Sequence, residues 1–145
     1  MSDDPLYRRE ILRLAADAKG AGRLDAPDAS GSAHNPACGD RVTVELKLDN
    51  GRIAALAHQT QACVLTQASA ALLADAASGQ DQDGLARLAL GLRGMLAGGP
   101  APVPGYAAFD GVAAHPGRHV CVLLPLEAAL KALEGSEPRT AGTKR

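Results

Sequence analysis

The sequence predicts an α+β domain. Two patterns carry that prediction: a strict apolar–polar alternation over residues 42–48 that runs into the hairpin signal Asp49-Asn50-Gly51, and leucine-rich stretches at helical spacing on either side of it. A third observation concerns chemistry. Three cysteines stand in separate local settings: Cys38 within N-P-A-C-G-D, Cys63 ahead of an apolar stretch containing A-S, and Cys121 closing P-x-R-x-x-C.

The elements follow in order. Leu6, Ile11, Leu12 and Leu14 among Arg8, Arg9, Glu10, Arg13 and Asp17 predict a short amphipathic helix over residues 6–18, with Pro5 near its first turn and Gly20 and Gly22 ending it. Residues 25–37, rich in Asp, Ala, Ser, Gly and Pro without periodicity, read as a loop that delivers Cys38 on irregular backbone. Val42, Val44, Leu46 and Leu48 against Thr43, Glu45 and Lys47 make a strand with one wet face, and a return strand follows over residues 52–60. Residues 63–77 form a helix closed at Ser78-Gly79, so Cys63 falls at a strand-to-helix junction. A second helix over residues 83–96 gathers Leu85, Leu88, Leu92, Met95 and Leu96 on one side, and residues 98–105 with three prolines read as a loop. The last helix, over residues 120–133, repeats Leu123, Leu126, Leu130 and Leu133; Pro125 is expected in its first turn, where a missing amide costs little. Residues 1–135 are expected to form one domain and residues 136–145 a flexible tail.

Composition removes several classes of function. Fifteen basic and sixteen acidic side chains give a formal charge of -1, and the aromatics are confined to Tyr7, Tyr106 and Phe109, so neither a phosphate-seeking field nor a stacking platform for nucleic acid is present. The longest stretch without formal charge, residues 53–74, is broken by His58, Gln59, Thr60, Gln61, Thr66 and Gln67, unlike a membrane helix. The opening M-S-D-D-P shows no targeting pattern, and an odd number of cysteines does not suit a secreted disulfide framework, so a cytoplasmic location is expected.

Free cysteine also behaves as a small buried hydrophobe, and no C-x-x-C pair is present. The local settings weigh against that plain reading. Cys63 and Cys121 both stand at or near helix starts, where unpaired amides and the positive end of the helix dipole favour a thiolate. Asp40 follows Cys38 across Gly39, a spacing that aims both side chains at one point if the glycine takes a left-handed conformation; a carboxylate beside thiolates suits zinc or iron. His34, His58 and His115 read as solvated surface residues, whereas His119, two places from Cys121, is weighed as a further ligand.

N-P-A-C-G-D at 35–40, the D-N-G hairpin, C-x-x-x-x-A-S at 63–69 with Gly79 ending the helix, and P-x-R-x-x-C at 116–121 together resemble the IscU/SufU/NifU N-terminal family of iron–sulfur cluster assembly proteins. The resemblance runs from residue 6 to about residue 133. It implies a SufE/NifU-like α+β fold, a small antiparallel sheet packed against helices, with a site at one end formed by Cys38, Asp40, Cys63 and Cys121. Arg118 three places before Cys121, Val120 rather than histidine directly before it, and the long stretch 81–114 are closer to the SufU-like subgroup. For that subgroup the resemblance implies a bound zinc, Cys121 as acceptor of persulfide sulfur from a cysteine desulfurase with Arg118 contacting the persulfide, and onward delivery to iron–sulfur assembly or acceptor proteins. The competing reading is a non-enzymatic scaffold that builds a 2Fe-2S cluster on the same residues. The chain departs from the family pattern at A-A-D-A-K-G-A-G (15–22) and H-Q-T-Q-A (58–62), which bears on partner choice.

Two other classes remain open. A cysteine-dependent hydrolase would use Cys63 or Cys121 with a histidine, and an adaptor would need neither metal nor reactive thiol.

Overall fold

A computed structural model describes residues 8–37 and 39–136. The order is α1 (Arg9–Asp17), β1 (Ala29–Asn35), β2 (Asp40–Asp49), β3 (Arg52–Gln61), α2 (Val64–Ala76), α3 (Gln82–Leu96), two 3-10 stretches (Pro104–Ala114 and Pro116–Arg118) and α4 (His119–Ser136). The predicted start of the first helix at Leu6 and the predicted tail beyond Ser136 lie outside the described residues.

The three strands form one antiparallel sheet in the order β1-β2-β3. The predicted hairpin is β2–β3: Asp49 faces Arg52, and Asn50 and Gly51 both take positive φ, at 53° and 80°, as a two-residue turn matched to strand twist requires. Val42, Val44 and Leu46 point to the core and are fully buried, the alternation expected of a strand with one covered face.

The loop expected over residues 25–37 is instead largely a strand. β1 pairs with β2 from Ala29 opposite Leu46 to Asn35 opposite Asp40. Its small residues hide the alternation, and their size has a reason: α4 lies directly on β1. A Cβ built on Gly31 would stand 2.4 Å from the Ala132 amide nitrogen and 2.5 Å from the Ala128 carbonyl oxygen, so a side chain there would push the helix off the sheet.

The segment after α1 covers one sheet edge and part of the open face. Gly20 accepts from the His58 amide and Gly22 donates to the His58 carbonyl, covering the outer edge of β3. The chain then returns to β1, with the Leu24 amide donating to Glu45 at 2.8 Å and Lys47 donating to the Ala26 carbonyl at 2.9 Å. Glu45 is thereby buried but partnered.

On the other face α4 covers β1 and β2, α2 packs on β3 and α4, α1 on α2, and α3 on α4. The 3-10 stretch Pro104–Ala114, to which the sequence reading gave no element beyond the proline loop, inserts Tyr106 and Phe109 into this core, both fully buried. The Asp81 side chain caps α3 by accepting from Gly84 at 2.8 Å, and the helix begins at Gln82, one residue before the predicted start. Pro125 departs from expectation: α4 begins at His119, so the proline is inside the helix and leaves the Cys121 carbonyl without its i+4 amide donor. Among the described residues no helix is long and apolar enough to cross a membrane.

Candidate metal centre

The site is assembled where the sheet meets the starts of two helices. Asp40 is the first residue of β2, Cys63 is the N-cap of α2, and Cys121 is the third residue of α4. Their ligand atoms, a carboxylate oxygen and two Sγ atoms, all lie within 4.8 Å of one another. They line a cavity of about 270 Å³ together with Asn35, Ala37, Gly117 and Arg118. Three of the four predicted ligands therefore converge. Cys38 is outside the described residues.

Each side chain is placed by local structure. Between Asn35 and Asp40 the Gly39 amide donates to the Asn35 carbonyl at 2.8 Å and the Ala37 amide to the Asn35 side chain at 3.1 Å. Gly39 has φ 78°, the left-handed conformation that the spacing of Cys38 and Asp40 called for. Cys63 has extended backbone, φ −68° and ψ 171°, and its side chain makes no capping bond, so its sulfur is free to face the cavity. Thr66, one turn into α2 and fully buried, brings its hydroxyl within 3.5 Å of that sulfur.

Ser69, the serine of the A-S motif, supplies the link between the two helix starts. It is buried, and its hydroxyl donates to the Val122 carbonyl at 2.5 Å, next to the carbonyl that Pro125 deprives of a donor. One hydrogen bond thus holds α2 against α4 within two turns of Cys63 and beside Cys121. Asn35, Thr66 and Ser69 were not singled out from sequence. Only their positions inside the quoted motifs marked them.

The electrostatics make the two thiols a pair. A hydrogen bond from the Cys121 thiol is the main cause that lowers the Cys63 pKa to about 5; burial opposes it, and Thr66 and the Arg118 charge assist. The same hydrogen bond to Cys63, with burial and the charge on Cys63, pushes Cys121 upward, and Arg118 only partly offsets this. The two thiols therefore titrate as a pair, with the charge favoured on Cys63 and the proton on Cys121. Burial works against the Arg118 charge, yet its hydrogen bonds and attraction to the two sulfurs outweigh it and raise its pKa. The Arg118 Nε is buried without a partner, a donor left over for something that enters the cavity.

The histidines lie elsewhere. His119 Nε2 donates to the Ala113 carbonyl at 3.1 Å, and no histidine lines the cavity. His34 is exposed. His58, expected on the surface, is only 4 % exposed: its Nε2 donates to the Lys19 carbonyl and its Nδ1 pairs with Thr60, both at 2.9 Å. His58 stands opposite Val44 on the covered face, beside the strand edge that residues 20–22 line, a contact no local pattern reveals.

Comparison with known proteins places this site in context. The family of NifU-like N-terminal domains matches residues 6–90, more than half of the chain. The chain belongs to this family. A solved NifU-like N-terminal protein from Brucella abortus is 32 % identical, superposes with a TM-score of 0.85, and shares 92 % of this chain and 95 % of its own. The iron–sulfur cluster assembly scaffold protein IscU of Thermotoga maritima is 32 % identical over 75 residues, 52 % of this chain and 53 % of the relative, so the match spans about half of that protein. The zinc-dependent sulfurtransferase SufU of Bacillus subtilis is 25 % identical over 138 residues, 92 % of this chain and 93 % of the relative. The expected α+β architecture, a three-stranded antiparallel sheet against helices, is the fold these neighbours share.

Proposed function

We propose that the protein is a zinc-binding acceptor of persulfide sulfur in iron–sulfur cluster assembly, working in the cytoplasm between a cysteine desulfurase and downstream assembly or acceptor proteins. The observation that supports this most is the convergence of Asp40, Cys63 and Cys121 within 4.8 Å beside an arginine with an unpartnered donor. Two sulfurs and a carboxylate oxygen are a donor set that zinc accepts, and ligand atoms within 4.8 Å need to draw in by only about an ångström to bond one tetrahedral centre. Cys38 is the fourth ligand in this reading, from the motif it occupies. Bound zinc keeps the cysteines ionised at neutral pH, which the metal-free pair achieves for only one of them.

The remaining chemistry belongs to the chain. Cys121 as thiolate attacks the outer sulfur of the donor's persulfide; the donor S–S bond breaks, its cysteine leaves as thiolate, and the new S–S bond joins the sulfur to Cys121. No electron is gained or lost overall. Arg118 holds the anionic persulfide by charge and hydrogen bonding, a role that fits its position against both sulfurs and its free Nε.

Elemental analysis of protein purified without added metal tests this reading. The expected result is about one zinc per chain and a colourless protein, with metal reduced in Cys63→Ser, Cys121→Ser and Asp40→Ala. Arg118→Ala should keep zinc and lose most of its ability to stimulate the desulfurase. A protein that takes no zinc but assembles a stable coloured 2Fe-2S cluster from iron and sulfide overturns the relay in favour of a scaffold.

A further inference from the structure

Cys63 and Cys121 are close enough to react with each other as well as with a shared metal. Their sulfurs lie within 4.8 Å, at the starts of two packed helices. Cys63 stands on extended N-cap backbone outside the helix proper, so its side chain turns without disturbing α2. Once Cys121 carries sulfur, the neighbouring Cys63 needs no entry path to reach its Sγ.

We propose that Cys63 is a resolving thiol that discharges the sulfur carried by Cys121 as sulfide. This rests on the reading of Cys121 as sulfur acceptor. The Cys63 thiolate attacks the inner sulfur, Cys121 Sγ; the bond from that atom to the outer sulfur breaks, and the outer sulfur leaves with its proton as hydrosulfide, HS⁻. A Cys63–Cys121 disulfide forms. The transferred sulfur gains two electrons, and the two cysteines together lose two, so no outside reductant enters the step. A small thiol or dithiol then restores the pair for another turnover. Arg118 lines the same cavity, and its charge is placed to stabilise the departing anion. The site would then deliver sulfur at the oxidation level of sulfide, the form an iron–sulfur cluster contains.

The test is a single-turnover reaction of the protein as purified with glutathione persulfide, under argon, after removal of excess low-molecular-weight thiol. Released sulfide is measured, and peptides are mapped without reduction. Wild type should release about one sulfide per persulfidated chain and acquire a Cys63–Cys121 linkage. Cys63→Ser should hold its persulfide on Cys121 and release sulfide at least about tenfold more slowly. Serine is itself a favoured N-cap, so this variant retains the start of α2. A stable persulfide on wild-type Cys121 with no linkage, or a linkage joining Cys121 to Cys38 instead, overturns the inference and leaves the acceptor reading standing. A wild-type protein that neither releases sulfide nor carries sulfur on Cys121 overturns both.

Discussion

Replacing Gly31 by alanine isolates the contact that brings the two halves of the site together. Gly31 does not have positive φ, so alanine suits the backbone and any cost comes from packing. The added Cβ would meet the Ala132 nitrogen at 2.4 Å, the Ala128 oxygen at 2.5 Å and the Ala132 Cα at 2.9 Å, all backbone atoms with no rotamer to relieve them. Relief requires β1 and α4 to separate by roughly an ångström, an overpacking that costs about 1–3 kcal/mol. At about 3 °C per kcal/mol for a chain of this size, the unfolding midpoint should fall by about 3–10 °C. The same displacement moves Cys121 and Arg118, carried on and before α4, away from Asp40, which follows β1 through the 36–39 turn. Zinc affinity, read by competition with a chromophoric chelator, should therefore fall together with stability. Gly39→Ala is the contrasting control, since nothing lies within 4 Å of its built Cβ and its cost is that of φ 78° alone. A Gly31→Ala protein that melts like wild type and holds zinc as tightly would refute the claim that α4 is seated on a bare strand.

Three further outcomes follow from buried polar groups and the thiol pair. In metal-stripped protein, iodoacetamide should label Cys63 before Cys121 with a pH midpoint near 5, and Arg118→Ala should move that midpoint upward; equal labelling of both cysteines would count against the shared-proton pair. Tyr106 is fully buried with an unpartnered hydroxyl, so Tyr106→Phe should raise stability by about 1 kcal/mol in urea unfolding, and a clear loss would show that the hydroxyl has a partner. Burial lowers the His58 pKa below 6.5, against the opposing hydrogen bond to Lys19, so the fold favours the neutral ring. That contribution is complete above pH 6.5 and is lost as pH falls from there through the folded pKa; His58→Gln should flatten the decline in melting temperature over this window, and identical slopes would argue against it.

The residues themselves determined whatever depends on neighbours in sequence. Alternation at 42–48, Asp49-Asn50-Gly51, and the leucine spacings of the last two helices announce β2, its hairpin, α3 and α4, because side-chain period and turn conformation are local properties. The cysteine settings likewise indicated Cys63 and Cys121 at helix starts, and the motif indicated a left-handed Gly39. Tertiary structure decided the rest. β1 reads as loop because the residues that let α4 approach must be small, and small residues carry no hydrophobic pattern. His58 reads as surface because the segment covering it is about forty positions away in the chain. Ser69 reads as a helix serine until α4 supplies the Val122 carbonyl, and Pro125 reads as a first-turn residue until the helix is seen to start at His119. Most consequential, the sequence offers Asp40, Cys63 and Cys121 as separate donors, and only the packing of α2 and α4 against the sheet brings their ligand atoms within reach of one centre.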